Sequence, residues 1–182
     1  MGRGGSEGRR YTVRFLVDQM LGALARNLRM LGFDASYAAG GPWRCLPQKA
    51  VVEGRCLLTK RYDPKRGRFK IPLIKILHDD PHQQVVQVLR SVSGPVDPSL
   101  WLGRCLRCNT LLVCLSKEEA RPWVPEYVAY TQTRFRRCPS CERVFWPGTH
   151  SHHMVQTMER WVQMARADGA GLECIVPSSD VK

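Results

Sequence analysis

Phe15-Leu16-Val17-Asp18-Gln19-Met20-Leu21-Gly22-Ala23-Leu24-Ala25-Arg26-Asn27-Leu28-Arg29-Met30-Leu31-Gly32 is the stretch that decides the fold. Residues 11–17 alternate and are rich in β-formers, which predicts a strand. Past Asp18, the side chains Met20, Leu21, Leu24, Ala25, Leu28 and Leu31 recur at helical spacing, with Arg26 and Arg29 on the other face. Gly32 is a natural stop for that helix.

Further along the chain the same alternation continues. Residues 33–38 read as a second strand, broken by Gly40-Gly41-Pro42. Residues 46–53 read as a helix ended by Gly54, and 55–59 as a strand of the buried type. A loop rich in Lys and Arg follows, then a strand over 71–77 and a helix over 81–92 with Pro81 in its first turn. Strand and helix in such alternation predict an α/β fold: a parallel sheet with flanking helices. The expected organisation is a disordered tail (1–10), an α/β domain (11–93), a linker (94–101), a small zinc ribbon (102–150), and a short helix (154–167) within a loose tail (151–182).

The ribbon is read from Cys105-Leu106-Arg107-Cys108 and Cys138-Pro139-Ser140-Cys141, separated by residues 109–137. A Cys-x-x-Cys knuckle brings two thiolates to one ion, and two knuckles complete a tetrahedral sulfur site for structural zinc. Arg104, Arg107, Arg136 and Arg137 surround them, and positive charge favours the thiolate. Two disulfides or four buried thiols are the alternatives. Four sulfurs would leave no open position for water, so the ion is expected to be structural. The long spacer suits a hairpin between the knuckles. Among the other cysteines, Cys45 and Cys174 lack paired spacing, and Cys56 and Cys114 lie in apolar strands and read as core.

The chain carries 28 Lys and Arg against 16 Asp and Glu, a net charge of +12. Such a balance points to a polyanionic partner, nucleic acid above all. No apolar segment follows the Gly/Arg-rich start, so no secretory signal is expected. No run approaches a membrane span. A reducing compartment, cytoplasm or nucleus, is the expected location. Lys60, Arg61, Lys65, Arg66, Arg68 and Lys70 face only Asp63 in their loop and are candidates for phosphate contact. Arg134, Arg136, Arg137 and Arg143 give the ribbon a second basic edge. Beside them stand Phe135, Phe145 and Trp146, of which at least two are expected to pack the small ribbon core rather than stack on bases. His150, His152 and His153 cluster after the ribbon and read as surface residues.

Asp18 stands at the carboxyl end of the first strand, where α/β sheets gather their sites. As a residue type it suits a helix cap and a metal ligand alike, and the two roles are compatible.

Residues 15–34, the strand Gly54-Arg55-Cys56-Leu57-Leu58-Thr59, the knuckle Arg104-Cys105-Leu106-Arg107-Cys108-Asn109 and the run Phe145-Trp146-Pro147-Gly148-Thr149-His150 together resemble the Mut7-C family over about residues 11–158. That resemblance implies a PIN-like ribonuclease fold joined to a zinc ribbon. In animals, it also implies the C-terminal portion of a Mut-7-like 3′–5′ exonuclease, so this chain is expected to be such a piece or a short form. A parent exonuclease domain, or its partners, is then an expected partner. PIN-like chemistry needs several carboxylates at the strand ends to hold Mg²⁺ or Mn²⁺ for phosphodiester hydrolysis. Asp18 matches the family's first acid. The family's second acid has no counterpart in Gly41-Pro42-Trp43-Arg44-Cys45-Leu46, and Arg61 stands where its third acid falls, with Asp63 two residues on. A cation there repels a divalent ion.

The expectation is therefore an RNA-binding module of this type, accessory to a 3′–5′ exonuclease, with a depleted nuclease centre. An active Mg²⁺- or Mn²⁺-dependent ribonuclease, with Asp18, Asp63 and Asp34 or Asp79 rebuilding the site, is the first alternative. A protein-interaction domain is the second.

Overall fold

The computed structural model describes residues 13–61, 71–92 and 94–167. Its larger sheet holds four parallel strands: β1 (Arg14–Val17), β2 (Asp34–Tyr37), β3 (Cys56–Thr59) and β4 (Leu73–Lys75), in the order β2-β1-β3-β4. The helices are α1 (Gly22–Met30), α2 (Leu46–Glu53) and α3 (Pro81–Ser91). The predicted alternation is thus the observed one, with the strands shorter than expected. Successive side chains of a strand point to opposite faces. Phe15, Val17 and Leu58 accordingly join the larger core under α1 and α3, whereas Leu16 and Leu57 join a smaller one with Leu46 and Ala50 of α2.

Asp18 sets the entry into α1. Its cap starts a 3-10 turn, Gln19–Leu21, before the α-helix begins. The turn rotates Met20 outward, to 51% exposure, so Met20 leaves the apolar stripe to which its spacing assigned it. Arg29 is a larger departure. It is only 6% exposed, although its neighbours in sequence predicted the solvent face. Its environment comes from far along the chain and is described below.

The second sheet is antiparallel, in the order β5-β6-β7, from β5 (Val113–Leu115), β6 (Phe135–Arg137) and β7 (Val144–Phe145). Between β5 and β6 the expected hairpin carries two short helices, α4 (Lys117–Ala120) and α5 (Glu126–Thr131). Ser116 and Glu119 form a reciprocal capping box that starts α4. Edge strand β5 is mostly exposed, and so is Cys114, contrary to its reading as core; Cys56 is buried as expected. Phe135 is buried and Phe145 half-buried, so ribbon packing takes both, and Trp146 stays exposed.

Residues 94–101 include a 3-10 turn, Pro98–Leu100, laid against the end of α1. Gly32 has φ +89°, and a Cβ there would stand 2.5 Å from the Leu100 carbonyl oxygen, so only glycine suits both the turn and the approach. The last helix, α6 (Thr149–Ala167), begins five residues before its predicted start and returns to the first unit. Its Met158 and Trp161 are buried in the larger core with Val85 and Leu89 of α3. No helix among the described residues is long and apolar enough to cross a membrane.

Candidate functional site

In an open parallel sheet, the crevice for ligands lies beyond the carboxyl ends of the strands, where the strand order reverses. Here the chain leaves β1 for β2 on one side and returns to β3 on the other, so that point falls between β1 and β3. Asp18 and Thr59 stand there. The Thr59 hydroxyl donates to Asp18 Oδ2 at 2.5 Å, and the Met20 N–H lies 3.5 Å from Oδ1. Both residues are buried, Asp18 to 1% exposure. The Asp18 N–H donates to the Leu58 carbonyl, and the Arg61 N–H donates to the Thr59 hydroxyl oxygen. Asp18 is thus a cap and a clasp between the two central strands.

Asp34 and Asp79, the other described aspartates of the rival site, are engaged elsewhere, and so is Asp80 beside them. Asp79 is bridged by the Lys60 ammonium, whose hydrogen bond and charge hold its carboxyl below the usual carboxylate range. Asp80 caps α3, accepting from the N–H groups of His82 and Gln83. Asp34 pairs with Arg14 in the strand register, at the amino end of the sheet. Four residues of parallel strand, about 13 Å, lie between that level and Asp18. Asp34 therefore cannot share an ion with Asp18. Among the described residues, the four knuckle cysteines are the only group of three or more Asp, Glu, His or Cys close enough to hold a metal. Arg61 is exposed, and Arg44, at the entry to α2, lies 5.8 Å over the Trp43 ring. Asp63, Lys65, Arg66, Arg68 and Lys70 lie outside the described residues.

The second constellation is the sulfur cluster. The Sγ atoms of Cys105, Cys108, Cys138 and Cys141 all lie within 4.8 Å of one another. The Cys105–Cys141 pair is 3.7 Å apart. Tetrahedral zinc with Zn–S near 2.3 Å requires sulfurs about 3.8 Å apart. Every described cysteine is free, which removes the disulfide alternative. The two knuckles are built alike. Asn109 N–H donates to the Cys105 carbonyl as Glu142 N–H does to that of Cys138, and Cys105 N–H meets the Thr110 carbonyl as Cys138 N–H meets that of Arg143. Asn109 and Glu142, each following its knuckle's second cysteine, have φ of 67° and 60°. Burial pushes the Cys105 thiol up to about 12 and raises Cys108, while the Arg143 N–H holds Cys141 down to about 7. A cation at the centre allows all four to carry charge together. The four cysteines fit a metal ion such as zinc.

The two units are joined by polar contacts that the sequence did not reveal. Arg29 Nε donates to the Ala35 carbonyl, and its Nη1 donates to the carbonyls of Leu106 and Arg107 inside the first knuckle, all at 2.9 Å. Asn109 completes the seam. Its amide donates to Asp34 Oδ1 at 2.7 Å, and its side-chain carbonyl oxygen accepts from the Ala35 N–H at 3.0 Å. Arg55 holds the same carboxylate at 2.6 Å. Burial works to raise the pKa of Asp34, but the bonds from Arg55 and Asn109 and the charge of Arg55 outweigh it, and the carboxyl sits below its usual range.

On the ribbon's basic edge, Arg136 donates to the Leu102 carbonyl. Arg137 pairs with Glu142 at 2.6 Å and lies 4.8 Å over the exposed Trp123 ring. Trp123, Tyr127 and Tyr130 are the aromatic residues this unit exposes most.

Comparison with known proteins supplies one match. The family model described as Mut7-C RNAse domain covers residues 13–158. No curated protein and no solved structure matches the chain.

Proposed function

The chain belongs to the Mut7-C RNAse domain family, and from that premise we propose that it binds RNA without cutting it efficiently, as an accessory to a 3′–5′ exonuclease. One observation carries this reading. Asp18 stands at the switch point with Thr59, Lys60 and Arg61 for neighbours, and no described group of acids gathers there. A divalent ion that activates water needs several hard oxygen ligands and no fixed cation among them. A guanidinium in that place grips a phosphate instead. Lys60, Arg61, Lys65, Arg66 and Arg68 would contact the backbone at the crevice, and Arg136 and Arg137 would extend the contact along the ribbon. The sulfur cluster would hold structural zinc, leaving the ion no position for substrate. Its negative tetrathiolate would be balanced in part by the buried Arg29 guanidinium.

A second reading is favoured by the position of Asp18 itself, which is where a nuclease of this topology would place a metal ligand. In it, Asp63 completes a Mg²⁺ or Mn²⁺ site and the protein hydrolyses phosphodiesters.

Titration of a labelled single-stranded RNA against salt tests the first reading. Affinity should fall steeply with salt, and the double variant Lys60→Glu, Arg61→Glu should flatten the log–log slope by roughly 0.7 for each phosphate that is no longer neutralised. Binding that ignores both salt and the double variant would leave a protein-interaction role in its place.

A further inference from the structure

Where α6 crosses α1 and the start of α3, it leaves a cleft of about 630 Å³, within the ordinary range for small-molecule sites. Met154 and Pro81 line it half-buried, and Met30 and Trp161 lie buried beneath them. Around it stand Arg26 and Asn27 of α1, His82 of α3, and His150 and His153 of α6. No acid lines it. The histidine run near the ribbon, three residues of one kind in the sequence, is divided by the helix. His150 and His153, three apart, share the face that meets the cleft, whereas His152 turns aside to Gln156 at 3.4 Å.

Trp161 does two things there. It is buried beneath the cleft, at 2% exposure, and its Nε1–H donates to His82 Nδ1 at 2.9 Å. An indole can only donate, so His82 Nδ1 carries no hydrogen and the neutral ring keeps its proton on Nε2. The cleft therefore offers a guanidinium, a carboxamide and an imidazole N–H, with no carboxylate of the described residues lining it. Such a set suits an anion, and the half-buried Met154 and Pro81 beside it add an apolar wall that an inorganic ion would not use. The imidazoles are too dispersed for a metal: among the described residues, only the four cysteines form a group that close.

The cleft opens on the first turn of α1, where Gly22 and Ala23 line it, four residues beyond Asp18. It thus borders the carboxyl-end crevice. We propose that this cleft is a nucleotide subsite: it takes one nucleotide of a single-stranded RNA, with the base against Met154 and Pro81, above the buried Trp161, and the phosphate at Arg26 and His82. The proposal rests on the nucleic-acid reading above and adds a place for one residue of the strand.

The test uses the full chain, adenosine 5′-monophosphate, inorganic phosphate and a short single-stranded RNA. Binding of the monophosphate should move the Trp161 indole N–H resonance, assigned by Trp161→Phe, and inorganic phosphate should move it far less. Arg26→Glu, an exposed change, should remove the nucleotide response and weaken RNA binding about tenfold. A second variant, His153→Glu, should act in the same direction. An unmoved indole resonance, with RNA affinity in both variants within about twofold of wild type, overturns the subsite. If RNA affinity then still falls in Lys60→Glu, Arg61→Glu, the nucleic-acid reading survives that failure. If wild type binds the monophosphate but no RNA at low salt, the reading beneath the proposal fails and the cleft is a site for free nucleotides.

Discussion

The Thr59 hydroxyl donates to Asp18 Oδ2 at 2.5 Å, joining the carboxyl ends of the two central strands. One carboxylate thereby starts α1 and fastens β1 to β3. Its structural and chemical duties can be separated by substitution. Asp18→Ala removes a cap, worth about 0.5–2 kcal/mol, and leaves a buried hydroxyl unpaired, about 1–3 kcal/mol more. Asp18→Asn keeps one carbonyl oxygen for the Met20 N–H and turns its amide to donate to the Thr59 hydroxyl oxygen, so it should lose less than the alanine variant, about 1 kcal/mol. Urea unfolding of the two variants beside wild type measures the difference. Equal losses would mean that the charge, rather than the hydrogen bonds, stabilises this junction.

Arg29 serves three backbone carbonyls from one buried guanidinium. Arg29→Met strands all three, and the expected loss is about 3–5 kcal/mol on unfolding. Arg29→Lys should recover little, because an ammonium lacks the planar fork that reaches both units. Because two of the carbonyls lie within the first knuckle, either change should also weaken metal retention, seen as faster zinc release to a chromogenic chelator. Unchanged release would confine Arg29 to the α1–β2 contact.

At Asn109, backbone conformation and side-chain bridging coincide. Asn109→Gly keeps the left-handed turn and loses only the bonds to Asp34 and Ala35. Asn109→Ala loses both, and should be less stable than the glycine variant by about 1–2 kcal/mol. Thermal unfolding ranks the pair, and the reverse order would contradict the conformation assigned to this turn.

The Asp34 carboxyl, lowered by Arg55 and Asn109, predicts a pH dependence with a definite sign. A depressed acid stabilises the fold above its unfolded value near about 3.9, and that contribution disappears as pH falls through the folded value. Stability should therefore drop on acidification below about pH 4, and less so in Asp34→Asn. The difference between the two proteins isolates this group from the knuckle thiols, which also gain protons in acid.

Removing the metal should unfold the ribbon, since such modules take their folding energy from the ion. The loss should spread to α1, whose Arg29 would lose its partners at Leu106 and Arg107. Hydrogen exchange after chelation should show faster exchange in both places. Exchange confined to the knuckles would show that the seam does not couple the units.

The sequence disclosed what depends on local pattern. Strand β1, the helix beginning near Asp18, and α2 with its Gly54 stop follow from short-range periodicity and turn residues. The sulfur cluster follows from spacing. What escaped depends on contacts across the chain. Arg29 lies off the apolar stripe, on a side of α1 that a knuckle nearly eighty positions later covers, and hydropathy sees only the stripe. Cys114 has apolar neighbours but lies on an edge strand of a sheet too small to bury it. Asp34 resembles a spare catalytic acid until the register puts it at the wrong end of the sheet. The inward face of α6 could have been suspected from Met154, Met158 and Trp161, but its distance in sequence from the rest of the core hid the cleft.

On the proposed reading RNA is held and not cut. The most direct measurement incubates a labelled single-stranded RNA with Mn²⁺ and either wild type or Asp18→Asn, following binding and cleavage in the same samples. Salt-sensitive binding by both proteins, without cleavage that depends on Asp18, is the predicted result. Mn²⁺-dependent cleavage by wild type that Asp18→Asn abolishes, with its binding and fold intact, would contradict the account and make Asp63 the next acid to replace.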